Sequence, residues 1–277
     1  TSEWIWVQDF GMKLVVSLRG THNTVSPIAD LKLKKSYEAT FPKVNGFHAV
    51  SKAIGVAAEK YGADSNNIQV VYSGLSLPSN IPLQNSYEKQ IQTVQLLSIG
   101  RSHWIKGYDY ALDTCKLLKE QGIDFHYTIV GAKGVEELEY QKNDLGLNSE
   151  VTFLDKLPYE KVLQLMQEAH LIVLPSVEEG IANVILEAMM LQKLVLTTNC
   201  GGMEEIVKDG ENGFVVPIRN PEALSKKIIE ISCLSKEQIH TITTNARKTI
   251  ERVNSEEKMV ADMETLYHFV LEKTITS

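Results

Sequence analysis

From Thr93 onward, short apolar runs alternate with segments of helical periodicity, and Gly, Asn, Asp or Pro stands between them. Runs of this length predict buried strands, and each is followed by a helix. Strands that alternate with helices are typical of a parallel sheet with right-handed crossovers. The predicted strands are residues 93–99, 125–130, 150–154, 171–174, 193–197 and 213–216.

The first 80 residues show the same alternation over a shorter length. They make up only about half of an α/β lobe of ~150 residues. No first strand with a phosphate-binding turn opens the chain, so we expect an N-terminal piece of this lobe to be absent. The predicted elements are strands at 13–18, 46–50 and 68–72, a basic helix at 27–39 and a helix at 51–61 that is capped by Ser51.

Pro78 and Pro82 stand among Ser, Asn and Gln, a composition typical of a linker. After Cys233 the pattern is wholly helical, and the last helix has an apolar face that requires a partner surface. The expected domains are a partial N-terminal Rossmann-like lobe at 1–80, a linker at 81–92, a complete C-terminal Rossmann-like lobe at 93–254 and a helix at 255–277 that packs back toward the N-terminal lobe.

Composition narrows the function classes. A net charge of -7 and a pI near 5.6 give no general attraction for nucleic acid, which we do not expect as a partner. Cys115, Cys200 and Cys233 form no CxxC or Cys/His cluster, and they are expected to be buried thiols in a reducing compartment. No apolar stretch approaches the ~18 residues of a membrane span, so we expect a cytoplasmic protein.

The most informative stretch is LIVLPSVEEGIANVILEAMML at 171–191. Its pattern predicts a strand, an acidic turn with Glu179 and a helix from Ile181 that carries Glu187 off the apolar stripe. Helix N-termini at the carboxyl ends of parallel strands bind anions. Two carboxylates that flank such an N-terminus suit a sugar nucleotide, with hydroxyls at both ends and an anion between.

The sequence allows two other interpretations of Glu179 and Glu187. A glycosidase needs two carboxyl groups that flank one bond, whereas Glu187 lies two turns beyond the turn acid. Alternatively, Glu179 is a first-turn acid that offsets the helix dipole and Glu187 is a solvated residue. For either residue in isolation, this second interpretation is at least as good as a functional one.

Arg101 and Lys106 lie in the turn that follows the predicted strand 93–99. An arginine can bind two oxygens of a diphosphate and a lysine adds a point charge. By themselves the pair could be ordinary surface cations, but beside the acidic turn they favour an anion site. Gly201 and Gly202 precede a short helix after another strand, and Gly131 follows a third, so that backbone could approach a ligand there.

Several site classes lack their sequence signals. The chain has no GxGxxG fingerprint, no GxxxxGK[ST] loop and no GxSxG elbow. No pair of histidines has metal-ligand spacing, so we expect no metal site and no cofactor.

Four segments together resemble the family 4 retaining glycosyltransferases of the GT-B fold. They are IGRSHWIKGYDYAL, HYTIVGAKG, the run from VTFLDKLPYE to NGFVVP, and NPEALSKKI, and they span roughly residues 93–232 in order. The segments FHAVSKAIGVAAEKYG and IQVVYSGLSL resemble the end of the family's N-terminal, acceptor-side lobe.

The resemblance implies roles for these residues. The E-x7-E motif, here Glu179 and Glu187, binds the transferred sugar with its first acid and the ribose with its second. Arg101 and Lys106 hold the diphosphate and stabilise the leaving nucleotide. Backbone N–H groups complete the donor site. The implied donor-binding residues are Gly180, Ile181, Ala182, Asn183, Glu187, Gly201, Gly202 and Gly131.

The chain departs from the family in places. EGIAN replaces the usual EGFG, and in SLRGTH an arginine stands where many members carry histidine, so either Arg19 or His22 takes the acceptor-side role. The N-terminal glycine-rich loop is absent. We therefore hypothesise that this polypeptide binds a sugar nucleotide but transfers the sugar poorly or not at all by itself.

The expected function is retaining hexosyl transfer, without a metal, from a UDP-, GDP- or ADP-sugar to a glycan or lipid-linked acceptor in polysaccharide or glycoconjugate synthesis. Peripheral association with the inner face of the membrane through the N-terminal lobe is left open. The alternatives are a GT-B sugar-nucleotide epimerase and a non-catalytic nucleotide-sugar-binding fragment.

Overall fold

The computed structural model describes residues 6–7, 9–77 and 93–273 of the 277-residue chain. The predicted linker at 81–92 lies outside the described residues. The chain divides into two compact units. Unit 1 comprises the described residues of Thr1–Ser76, Glu179–Ile181 and Arg252–Ser277, and unit 2 those of Leu77–Glu178 and Ala182–Glu251.

The strands agree with the apolar runs of the sequence to within two residues at every end. They are β1 Val15–Leu18, β2 Gly46–Ala49, β3 Ile68–Val70, β4 Val94–Ile99, β5 Phe125–Val130, β6 Val151–Leu154, β7 Leu171–Leu174, β8 Leu194–Thr198 and β9 Phe214–Val216.

Helices follow almost every strand. They are α1 Thr21–Thr24, α2 Ser26–Ala29, α3 Leu31–Thr40, α4 Lys52–Glu59, α5 Tyr108–Glu120, α6 Glu136–Asp144, α7 Tyr159–Glu168, α8 Asn183–Met190, α9 Met203–Ile206, α10 Pro221–Ser232, α11 Lys236–Val253 and α12 Glu256–Glu272. Short 3₁₀ turns lie at Phe41–Lys43, Ser65–Asn67 and Trp104–Lys106.

Unit 1 is built on a three-stranded parallel sheet in the order β1-β2-β3. Its core joins the sheet to α3 and α4 and includes the stacked rings of Tyr37 and Phe41. Helix α12 packs on β2, where Leu266 and Val270 are buried against Gly46. A side chain at Gly46 would overlap Val270, so the absence of a Cβ permits this close contact.

Unit 2 is built on a six-stranded parallel sheet in the order β6-β5-β4-β7-β8-β9. The chain runs outward from β4 through β5 to β6, and then returns to β7 on the other edge of β4. The strand order therefore reverses between β4 and β7. In open α/β sheets, ligands bind beyond the carboxyl ends of the strands at such a reversal.

Local sequence signals explain the helix ends. The Ser51 hydroxyl accepts from the Ile54 N–H at 3.2 Å, and the Asn220 side chain accepts from the Ala223 N–H at 2.8 Å. Both residues are therefore the N-caps that the sequence predicts. Buried Lys193 donates to the Gln167 and Ala169 carbonyl groups at the end of α7, whose oxygens lack helical partners.

Two predicted helices differ from the structure. Helix α8 begins at Asn183 and not at Ile181, because Ala182 is extended, with φ -81° and ψ 117°. Glu179 therefore precedes the helix, and its interpretation as a first-turn acid is wrong. The predicted helix at 27–39 is divided at Asp30, whose extended backbone separates α2 from α3 and whose carboxylate caps α3.

Further expectations concern single residues and sites. Cys115 and Cys200 are buried, but Cys233 is exposed at the end of α10, so the expectation of a buried thiol is wrong there. None of the helices that the structure describes combines the length and apolar character needed to cross a bilayer. Among residues 6–7, 9–77 and 93–273, no group of three His, Cys, Asp or Glu side chains is arranged to hold a metal ion.

Gly107 begins α5 in the left-handed conformation, with φ 64°. A Cβ at this position would overlap the carbonyl oxygen of Pro175, which follows β7. Gly122, after the same helix, has φ 72° but no atom within 4 Å of such a Cβ. Substitutions at these two glycines therefore distinguish the cost of backbone strain from the cost of disturbing the contact between the loops after β4 and β7.

We expect Gly122→Ala to lower the free energy of unfolding by about 1 kcal/mol, from backbone strain alone. Gly107→Ala should lower it by about 3 kcal/mol or more, because the methyl group also displaces the Pro175 loop. Urea denaturation of both variants and of the wild type measures the difference. Equal losses would show that the contact with Pro175 contributes nothing.

Candidate functional site

A cavity of ≈ 620 Å³ opens beyond the carboxyl ends of β4, β5 and β6 in unit 2. Its wall joins the loops that follow these three strands to one residue of α8. The lining residues are Ile99, Gly100, Arg101, Ser102, Val130, Gly131, Lys133, Val135, Asp155, Lys156, Leu157, Tyr159, Val162 and Glu187. Three of the predicted site residues, Arg101, Gly131 and Glu187, therefore meet at one cavity.

The loops after β4 and β5 are held together by their backbones. The Gly100 N–H donates to the Val130 carbonyl and the Ser102 N–H donates to the Gly131 carbonyl, both at 3.1 Å. Gly131 has φ 95°, and a Cβ there would overlap the Gly100 carbonyl oxygen. Glycine at 131 is therefore required by the approach of two protein segments, whether or not a ligand also approaches it.

Arg101 and Lys106 lie at the same strand end. Arg101 directly follows β4, is exposed and lines the cavity. Lys106 ends the short 3₁₀ turn, and its Cε would lie 3.2 Å from a Cβ on Gly100. Lys106 is not part of the cavity wall, but its stem crosses the end of β4 beside Arg101. These two side chains can place two positive charges near the carboxyl end of β4.

Glu187 enters the cavity from α8 and is only partly exposed. Burial raises the pKa of its carboxyl group, whereas a hydrogen bond from Tyr159 opposes this change in pKa. The Tyr159 hydroxyl donates to Glu187 Oε1 at 3.3 Å. Burial, and then the Glu187 charge, raise the pKa of Tyr159 to about 12, so the phenol remains a donor at neutral pH. Glu187 is therefore partly buried and hydrogen-bonded to Tyr159, whereas the alternative interpretation from the sequence is a solvated residue.

The rest of the wall is largely apolar, with Ile99, Val130, Val135, Leu157 and Val162. An exposed ion pair between Lys133 and Asp155, 2.9 Å apart, stands at its edge. Asp155 raises the pKa of Lys133 through this hydrogen bond. An apolar cavity with a few charged groups is the usual form of a small-molecule site.

Four predicted donor-site residues of unit 2 do not line this cavity. The Ala182 N–H is directed at Met203 Sδ, 3.4 Å away, a weak acceptor that a ligand oxygen could replace. Asn183 is exposed at the start of α8. Gly201 and Gly202 lie between β8 and α9, and Gly201 has φ 52°, a backbone conformation that favours glycine.

Glu179, Gly180 and Ile181 group with unit 1. Gly180 is buried there, and a Cβ on it would lie 3.2 Å from Val50 Cγ2 and 3.7 Å from the backbone nitrogen of Gly20. Gly20 stands between the two acceptor-side candidates, Arg19 and His22. Unit 1 therefore brings the acidic turn close to the loop that carries these candidates.

Hydrogen bonds orient the Arg19 side chain, whereas none of the residues that the structure describes bonds to the His22 ring. The Arg19 Nε–H donates to Ser17 Oγ at 3.2 Å, and Ser17 Oγ lies 2.9 Å from His48 Nδ1. His48 Nε2 lies 2.9 Å from the Val71 carbonyl oxygen, which can only accept. Burial lowers the pKa of His48, so Nε2 carries the proton and Nδ1 accepts from Ser17. His22 is exposed, and its backbone carbonyl accepts from the Tyr37 hydroxyl.

Sequence analysis missed Tyr159, Lys133 and Asp155. Lys133 and Asp155 stand in the loops after β5 and β6, and Tyr159 is the first residue of α7, just beyond the loop after β6. Position beyond the carboxyl end of a parallel strand was the available signal, but only loops with a glycine or charge pattern were singled out.

Comparisons with known proteins identify the family of the chain and its fold. The family model of the glycosyl transferases group 1 matches residues 80–249, more than half of the chain. The amylovoran biosynthesis glycosyltransferase AmsK of Erwinia amylovora is 26% identical over 72% of this chain and 50% of its own length. The capsular polysaccharide biosynthesis glycosyltransferase CapM of Staphylococcus aureus is 25% identical over 76% of this chain and 54% of its own length. The chain thus spans about half the length of these curated relatives.

Solved structures show the fold. Anabaena HepE, in complex with UDP and glucose, superposes with a TM-score of 0.77 at 23% identity over 98% of this chain and 76% of its own. A Rickettsia africae glycosyltransferase gives 0.80 at 22% identity over 96% of this chain and 73% of its own. The expectation of a GT-B-type α/β fold with parallel sheets is confirmed. With the family match over residues 80–249, the chain belongs to the glycosyl transferases group 1.

Proposed function

We propose that the protein transfers a hexosyl group from a nucleoside diphosphate sugar to a glycan with retention of anomeric configuration, as family 4 glycosyltransferases do. The observation that carries the proposal is the cavity beyond β4, β5 and β6, which combines the Arg101 guanidinium, the Glu187 carboxylate and an apolar wall. HepE holds UDP and glucose in its structure, and AmsK and CapM are named for polysaccharide synthesis.

The cavity suits the nucleoside of the donor. Val135, Leu157 and Val162 offer an apolar surface to one face of a base. The Glu187 carboxylate, with two oxygens and about four lone-pair sites, can accept from both ribose hydroxyls. In its ionised form it makes the stronger, charge-assisted hydrogen bonds. The base and ribose would thus be bound by groups that contribute little to the chemical step.

The diphosphate would lie at the end of β4. Arg101 can bind two phosphate oxygens in a bidentate manner, and Lys106 adds a point charge beside it. Negative charge increases on the diphosphate as the bond to the sugar breaks, so fixed cations here lower the transition-state energy. These two cations also supply charge that a divalent ion supplies in other enzymes, and we propose no metal cofactor.

The transferred sugar would be bound by the acidic turn. Glu179 would accept from its hydroxyl groups, and backbone at Gly180, Ile181, Ala182, Asn183, Gly201 and Gly202 would provide further contacts. Arg19, which Ser17 and His48 orient, is the better acceptor-side candidate, because no side chain in the described part of the chain orients the His22 ring in a comparable way. The acceptor would be a growing glycan or its lipid-linked form.

Nucleotide binding tests the donor site. We expect Glu187→Gln to weaken both a nucleoside and its diphosphate about 10- to 100-fold, because the ribose loses a charged acceptor. Arg101→Ala should weaken the diphosphate by a similar factor and leave the nucleoside unchanged. Titration calorimetry with UDP, GDP and ADP and their nucleosides measures both effects.

Glu137→Gln is the matched control, because Glu137 is exposed on α6 outside the cavity wall. It should bind every nucleotide as the wild type does. Equal losses of nucleoside and diphosphate in Arg101→Ala would contradict the assignment of the diphosphate. Failure of the wild type to bind any of the three nucleotides would contradict the donor site as a whole.

The stereochemistry can be tested without knowing the acceptor, since water can replace it. Proton NMR of the chain with the α-linked sugar donor that binds best should show the α-anomer of the free sugar first, followed by slow mutarotation. The β-anomer as the first product would contradict a retaining mechanism. An unchanged donor spectrum would favour the non-catalytic binding fragment.

A further inference from the structure

Tyr159 reaches the ribose-binding acid of the proposed donor site from a different segment of the chain. It is the first residue of α7, directly after Pro158, whereas Glu187 lies in α8. Its side chain lines the same cavity, and its hydroxyl donates to Glu187 Oε1 at 3.3 Å. The hydrogen bond therefore joins the carboxylate to the part of the wall on which a nucleoside would rest.

The bond also opposes the effect of burial on Glu187. Burial favours the neutral carboxyl group, in which one oxygen carries a proton and acts as a donor. The neutral group therefore has one accepting oxygen fewer and makes weaker hydrogen bonds. A hydroxyl that donates to Oε1 stabilises the charged form and lowers the pKa that burial raises. Since the phenol itself is a poor acid in this setting, it can only donate to Glu187 at neutral pH.

We propose that Tyr159 is a positioning residue that orients the Glu187 carboxylate for the ribose hydroxyls, an inference that rests on the proposed function. This orientation would make the cavity selective for ribonucleotides over deoxynucleotides. One hydrogen bond occupies part of one oxygen of the carboxylate. The remaining lone pairs of Oε1 and both of those on Oε2 stay available for the 2′- and 3′-hydroxyls. The selectivity would arise from Glu187, and Tyr159 would act through it.

Other charged side chains line the cavity and can act electrostatically on Glu187. They are Arg101, Lys133, Asp155 and Lys156. Lys133 and Asp155 are paired with each other and exposed, so their net effect on Glu187 is small. Arg101 stands at the end of β4 and is expected to bind the diphosphate. Among the described residues, Tyr159 is the one whose side chain shifts the pKa of Glu187.

Tyr159→Phe removes the hydroxyl and keeps the ring on the cavity wall. We expect it to weaken UDP, GDP or ADP, whichever the wild type binds, about tenfold at pH 7, in line with the loss of one hydrogen bond to a charged group. The corresponding 2′,3′-dideoxynucleotide should bind both proteins equally within twofold. Fluorescence or calorimetric titration of both nucleotides gives the four dissociation constants.

The pH profile separates positioning from general support of the fold. Without the hydroxyl, the pKa of Glu187 is higher, so the carboxylate is lost at a higher pH. The ratio of dissociation constants of Tyr159→Phe and wild type should therefore rise as the pH is lowered from 8 to about 5.5. Titration of the phosphate groups affects both proteins alike and cancels in this ratio.

Two further variants complete the test. Tyr140→Phe is a matched control, because Tyr140 is 71% exposed on α6, outside the cavity wall. It should change nothing. In a Glu187→Gln background, Tyr159→Phe should have no further effect on ribose selectivity, since the charged partner is already absent.

The outcomes separate the two proposals. Equal weakening of the ribonucleotide and the dideoxynucleotide, or a ratio that does not depend on pH, would overturn the role of Tyr159 and leave the donor site standing. Tighter ribonucleotide binding by Tyr159→Phe would also overturn it, because the hydroxyl would then compete with the ribose. A wild type that binds none of the three nucleotides would overturn the proposed function itself.

Discussion

Strand β4 lies between β5 and β7, and the chain leaves it for β5 but returns beside it as β7. Loops that depart in opposite directions separate at the carboxyl end of the sheet and leave a crevice there. Two close backbone approaches flank β4: Gly131 approaches Gly100 on the β5 side, and Gly107 approaches Pro175 on the β7 side. Neither approach leaves room for a Cβ. The position of Arg101, Lys106 and Glu187 depends on this geometry.

The electrostatic arrangement follows from the same constraint. Arg101 and Lys106 belong to the loop after the central strand, so their charges stand near the middle of the sheet edge. Glu187 is carried by α8 and lines the same cavity as Arg101. Burial would favour its neutral form, and the hydroxyl of Tyr159 opposes this. In the proposed donor site, Arg101 would bind the diphosphate and Glu187 the ribose of a sugar nucleotide.

Much of the fold could be predicted from the sequence, because the strands of unit 2 are apolar runs bounded by turn residues. Residues 171–174 are buried throughout and 125–130 form a strand, both with the predicted limits. The start of α8 could not be predicted, since Ile181 fits the apolar stripe of the helix but Ala182 is extended. Periodicity reports which face is buried and says little about where the backbone turns helical.

The sequence singled out Arg101 as a cation in the loop after a strand and Glu187 by its spacing from Glu179, and the structure places both in the wall of one cavity. The candidate site was not predictable where a contact joins segments distant in the sequence. Tyr159 and Glu187 are 28 residues apart, and their hydrogen bond joins two helices, α7 and α8, that follow different strands. Likewise, the glycine at 131 looks like a ligand-binding signal in the sequence, whereas the structure gives it a steric reason in the approach to Gly100.

A crystal structure of the chain soaked with the nucleoside diphosphate that it binds most tightly is the most direct test of this account. We predict that the base contacts Val135, Leu157 and Val162. Both ribose hydroxyls should lie within hydrogen-bonding distance of Glu187, and phosphate oxygens should contact Arg101. A nucleotide bound elsewhere on the protein, with the cavity beyond β4, β5 and β6 unchanged, would contradict this prediction.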